Sequence, residues 1–137
     1  MSARIKNYNV VAGGTISPRT LLKLSTSADN KVVAATANAK IIGVAPDFTR
    51  TAPGFLGSDD TVAFNSGDPV NLPDIGEIVP VLAGGTITRD LYIESDGSGA
   101  GISSVTSGQR NVAGRSLTAC ASGEVFYMLF NPQQITN

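Results

Sequence analysis

Apolar and polar residues follow one another along this chain in short runs, several with a period of two. Lys31 to Ala35, Ile41 to Ala45, Thr61 to Phe64, Glu77 to Leu82, Ile102 to Val105 and Glu124 to Phe130 have strand character. The runs are punctuated by "SADN", "APG", "SGDP", "DGSGAG" and "ASGE", which are turn chemistries. No window of ten or more residues carries an amphipathic helical pattern, and "SGQRNVAGRSL" has room for one helical turn at most. Many short strands joined by Gly- and Pro-rich turns predict an all-β protein, a small β-barrel or sandwich.

The pattern also repeats. "AGGTIS" at Ala12 to Ser17 returns as "AGGTIT" at Ala83 to Thr88, a spacing of 71 residues, and the same spacing separates Gly43 from Gly114. Between these anchors "LLKLS" falls on "LYIES" only if residues are dropped. Alone, "SPRTLLKL" could start a helix, with Ser17 as cap and Pro18 in the first turn. Its twin "TRDLYIES" alternates Leu91, Ile93 and Ser95 against Tyr92 and Glu94, so both are read as strands. The expectation is a single β domain over residues 12–137 built from two related hairpin units, 12–45 and 83–116, behind an extended N-terminal arm over 1–11.

Composition narrows what such a domain does. With 137 residues the chain can hide roughly two-thirds of its unfolded surface, enough for its own core. Aromatics are 6% and Trp is absent, so Val, Ile, Leu and Ala must fill that core. Ten basic and eleven acidic residues leave a formal charge of −1 without runs of like charge, which suggests neither a nucleic-acid nor a membrane partner. "MSARIKNYNV" lacks the apolar stretch of a signal peptide, and a cytoplasmic origin is expected.

Most catalytic chemistry is excluded by residue type. There is no His, which removes Ser-His-Asp and Cys-His nucleophile systems and His-ligated zinc. Cys120, in "LTACASGE", sits among small residues without a base and reads as packing. Asp59 and Asp60 are adjacent, so on a strand they would face opposite ways and could not share a proton. "DGSGAG" has too few carboxylates for a calcium loop and lacks the Lys of a phosphate loop, and reads as a flexible hairpin tip. Gly13-Gly14 and Gly84-Gly85 are expected to supply positive φ at turns. Glu77, Glu94 and Glu124 could serve a glycosidase, but acids on strands usually face solvent, and sugar clefts usually bring aromatic platforms. No enzyme, cofactor, metal or small-molecule substrate is expected.

The ends differ from the middle. Met1 to Val10 carries Arg4 and Lys6 among polar residues, together with the apolar Ile5, Tyr8 and Val10, and "NPQQITN" closes the chain. Termini are often frayed. The functional alternative is an arm that orders on a neighbouring subunit, with Arg4, Ile5, Lys6, Tyr8 and Val10 as its contacts.

The order "GGTI", a turn, L-x-L-x-S, a polar loop, "IIGVA" and a closing "ASGEVFYMLFNP" resembles the small capsid decoration, or cement, proteins of tailed phages. More specifically, it is similar to their β-barrel group long catalogued as a domain of unknown function. There, a segment of the type "aGGaItaGdxLxsdxxGxa" leads to "vxGxAlxxaxxGexvxvxl". Here "AGGTITRDLYIESDGSGA" and "VAGRSLTACASGEVFYMLF" stand in those places. Arg89-Asp90 replaces a frequent Gly-Asp, and Arg115 a commonly apolar residue. The resemblance implies a non-enzymatic homotrimer on the outer capsid surface of the virion, made in the host cytoplasm, that binds the major capsid protein and tightens the shell. A receptor- or glycan-binding β module of a phage tail or bacterial surface is the alternative.

Overall fold

The structure, a computed structural model, describes residues 10–47 and 62–137. The described residues are all-β and form ten strands: β1 Val10–Ala12, β2 Leu21–Leu24, β3 Lys31–Ala34, β4 Gly43–Val44, β5 Pro69–Val70, β6 Ile78–Leu82, β7 Tyr92–Ser95, β8 Gly101–Ser103, β9 Gln109–Ser116 and β10 Val125–Thr136. They make two five-stranded sheets, in the orders β4-β2-β3-β1-β5 and β6-β10-β9-β7-β8.

If β6 to β10 are matched to β1 to β5 in turn, both sheets follow one cyclic order: first, fifth, fourth, second, third. The first sheet is open between its fourth and fifth strands, the second between its third and first. The second ring is closed there by a parallel bridge from Ala83 to Gly101, the counterpart of the parallel β1–β3 pair. Each sheet is therefore a small curled lobe.

The match extends to single hydrogen bonds. Arg19 and Asp90 both sit in the left-handed region, at φ 59° and 62°. Their N–H groups donate to Ala45 and Ser116 respectively, while Ala45 and Ser116 donate back to Thr20 and Leu91. Ile16 bridges Phe64 as Ile87 bridges Cys120. Strands β2 and β7 lie 71 residues apart throughout, so no residue is dropped between the anchors, and Leu22 is the counterpart of Ile93. The fifth strands are introduced by "NSGD" and "ASGE". In each, the acid accepts the N–H three residues back, Asn65 to Asp68 and Ala121 to Glu124, both at 2.8 Å. The turn glycines have φ 90° at Gly67 and 86° at Gly123.

The paired anchor glycines do not supply positive φ, contrary to expectation. The first glycine of each pair is instead a site of close approach. A Cβ on Gly84 would meet Ala100 and Ile102, and one on Gly13 would touch Val33 at 3.0 Å, because the chain crosses its parallel neighbour there. At Gly114 a Cβ would fall on the Leu129 carbonyl, and at Gly43 on the Leu72 side chain. In both lobes the fifth strand, or its continuation, presses on the fourth at a glycine.

Two clusters form the core. Val10, Ile16, Leu22, Val32, Phe64 and Val70 fill the first lobe. Val81, Ile87, Ile93, Phe126, Met128 and Phe130 fill the second, joined there by Leu21, Ile41 and Val44 from the first. Adjacent residues on β2 thus serve different cores: Leu22 points into its own lobe and Leu21 into the neighbour's. Burying those three intruding side chains stabilises the lobe contact by about 1.5–3 kcal/mol each before ordering costs.

Three further expectations change. Val10, assigned to the arm, is buried in β1. "NPQQIT" is not frayed: β10 runs to Thr136 and pairs with β9 across a bulge between Phe130 and Gln133, where Pro132 is tolerated because no ladder N–H is needed. "DGSGAG" is a structured hairpin tip. Asp96 accepts from the N–H groups of Ser98 and Ala100, and Gly99 accepts from Leu21 N–H at 2.8 Å.

Candidate functional site

Strand alternation in the second lobe sends Phe126, Met128 and Phe130 inward, so Val125, Tyr127 and Leu129 face out. Register then fixes their neighbours. Leu82 lies opposite Val125, Pro80 opposite Tyr127 and Ile78 opposite Leu129 on β6, while Arg115 lies opposite Leu129 on β9 and Tyr92 opposite Arg115 on β7. A row from Ile78 through Leu129 and Arg115 to Tyr92 therefore crosses four strands on the outside. Leu117, whose N–H donates to Tyr127, extends the face. Ile78 is 62% exposed and Tyr127 50%. Arg115 is the one charge on these rows, and it pairs with Asp90. This charge-neutral, partly apolar sheet face is the candidate surface for a macromolecular contact.

No such continuity exists around the three glutamates. Glu77 accepts the Asp74 N–H and Glu124 the Ala121 N–H, each capping its own turn. Glu94, expected in solvent, is buried and takes both the Nε and Nη2 of Arg110. Burial alone would push its carboxyl up, but hydrogen bonds from Arg110 and Ser104 and the Arg110 charge prevail and hold it below the ordinary carboxylate value. Sequence reasoning missed this pair because Glu94 and Arg110 stand on different strands.

A cleft of about 330 Å³ lies between the loop before β4 and the β9–β10 ribbon, lined by Lys40, Ile41, Asn111, Val112, Pro132 and Gln133–Gln134. It offers amides and one ammonium but neither nucleophile nor acid–base pair. Among the described residues no three His, Cys, Asp or Glu side chains gather. Cys120 is half-buried against the second core, and burial, with Glu124 adding, pushes its thiol up.

Of the residues assigned to capsid contact, Arg4, Ile5, Lys6 and Tyr8 lie outside the described residues, as do Asp59, Asp60 and the rest of "TAPGFLGSDD". Val10 is committed to the first core.

No family model matches the chain, and no curated protein matches it. Among solved structures it is similar to the crystal structure of the head fiber gp8.5 N base in bacteriophage phi29. The TM-score is 0.61, with 16% sequence identity, over 95% of this chain and 97% of that chain. At that identity the likeness is one of fold: nearly the whole two-lobed β architecture is held in common.

Proposed function

We propose that the protein is a structural component of a phage virion, bound to the outer surface of an assembled head as a decoration or cement protein. The observation that carries this reading is the end-to-end fold likeness to the base of a phage head fiber. The sequence resemblance to capsid decoration proteins points the same way independently. The partner is the major capsid protein, the protein acts as a homotrimer, and its action is mechanical rather than catalytic. We assign the head contact to the outer face of β6 and β10, around Ile78 and Tyr127, with residues 1–9 as a second contact. Each oligomer bridges several coat subunits, so modest contacts combine by avidity against shell expansion.

The test mixes purified protein with expanded heads that lack it and sediments them over a concentration series. Saturable pelleting at fixed stoichiometry is expected, with greater heat resistance of the decorated particles. Failure to bind any head removes the proposal.

A further inference from the structure

The contact between the two lobes is directional. The outer side of β2 is seated on the β7–β8 hairpin tip, where Leu21 N–H donates to Gly99 O at 2.8 Å, and the turn before β2 meets the end of β6, where Leu82 N–H donates to Arg19 O at 3.0 Å. Asn38 N–H reaches Ser95 O at 3.4 Å, and Ser95 is fully buried. The first lobe thus presents an outer face, the second receives it with a hairpin tip, and the two surfaces differ.

Because the lobes share strand order and register, each also owns the half of the contact that the other uses. The second lobe's corresponding outer face is Leu91 and Tyr92, counterparts of Thr20 and Leu21. The first lobe's corresponding tip begins at Leu24, counterpart of Ser95. Thr20, Leu21 and Ser95 are 5%, 0% and 0% exposed, whereas Leu91, Tyr92 and Leu24 are 37%, 39% and 49%. Large apolar side chains are therefore exposed on both free halves of one contact. On the second lobe's turn Asp90 is paired with Arg115, and the first lobe's tip, Ser25 to Asn30, carries a single acid, Asp29.

We infer that copies of this chain join head to tail, Leu91 and Tyr92 of one copy seated on the Leu24 hairpin tip of the next, continuing between molecules the contact that joins the lobes within each. This deepens the homo-oligomer part of the proposed function by naming its surface. A head-to-tail contact has two unlike halves, and it closes into a ring when the rotation per copy permits.

The experiment is sedimentation velocity of the purified full chain and needs no phage heads, so its failure and a failure of head binding are separate results. The unaltered protein is expected to run as a closed oligomer, and Leu24→Asp and Tyr92→Asp each as a folded monomer by circular dichroism. Leu24→Ser and Tyr92→Ser carry the same expectation if an aspartate variant unfolds. Mixing the two variants should yield a 1:1 pair and nothing larger, because one intact half remains on each. A monomeric unaltered protein, or a Leu24→Asp variant of unchanged mass, would overturn the inference; the latter is the result expected if Tyr92 met Tyr92 across a symmetric interface.

Discussion

Glu94 is where a single residue most clearly departs from its neighbours' pattern, since a carboxylate on a strand ordinarily faces water and this one is buried against Arg110. Its folded pKa lies below its unfolded value, so its stabilising contribution is complete above the unfolded pKa, about 4.3, and fades as pH falls through the lower folded pKa. In Arg110→Ala only the Ser104 hydrogen bond still opposes burial, which is the larger effect, and the sign reverses: the Glu94 pKa rises above the unfolded value and the ionised form destabilises. The variant is therefore expected to lose most stability near pH 7 and to recover part of the difference near pH 3.5. Urea midpoints at both pH values measure it, and a difference independent of pH would contradict the assignment. A second residue-scale feature is the left-handed pair Arg19 and Asp90, where the ion pairs with Asp47 and Arg115 repeat with opposite polarity. Asp90→Gly relieves about 1 kcal/mol of backbone cost and gives up an exposed ion pair of about 0–1 kcal/mol. Thermal melting should find it neutral to slightly stabilised.

At the scale of elements, the fourth strand of each lobe carries a glycine against which the fifth strand, or its continuation, closes, but the obstacles differ. On Gly114 a methyl group would strike the backbone carbonyl of Leu129, which moves only if β9 and β10 part. On Gly43 it would meet Leu72 Cδ2 at 2.6 Å, the far end of a side chain that can rotate. Gly114→Ala is expected to cost more than about 3 kcal/mol and Gly43→Ala about 1 kcal/mol. Denaturant unfolding of the two variants checks the order. Equal losses would mean that the β9–β10 ladder is no tighter than the unpaired seam of the first lobe.

For the whole molecule, the head-binding proposal separates into two contacts. Tyr127→Asp and Ile78→Asp alter exposed positions, so folding stability should change by less than about 0.5 kcal/mol while head affinity falls at least tenfold, about 1.4 kcal/mol. Deleting Ser2 to Asn9 tests the arm. The deletion stops short of Val10, whose removal would open the first core and confuse lost binding with lost folding. Sedimentation with undecorated heads reads both. Unchanged affinity in the Tyr127 and Ile78 variants would move the contact away from this face, and unchanged affinity after the deletion would remove the arm.

The sequence by itself determined the β class, because period-two runs broken by turn residues leave no helix of useful length. It also determined the spacing of 71, because the same local geometries, a glycine under a crossing strand and a left-handed turn after "GGTI" and "GGTI", demand similar residues at similar places. The third shared turn, "NSGD" and "ASGE", was equally legible in its Ser-Gly-acid pattern but falls outside that spacing, at 56 residues. Tertiary structure decided the rest. That Leu21 serves the neighbouring lobe while its counterpart Tyr92 stays exposed depends on which lobe lies beside it, and two apolar strand residues carry no mark of that. Glu94 and Arg110 meet only once β7 and β9 are side by side. The C-terminal amides became strand because β9 offered an edge, and whether a polar segment frays or pairs is set by a partner edge that its own residues do not encode.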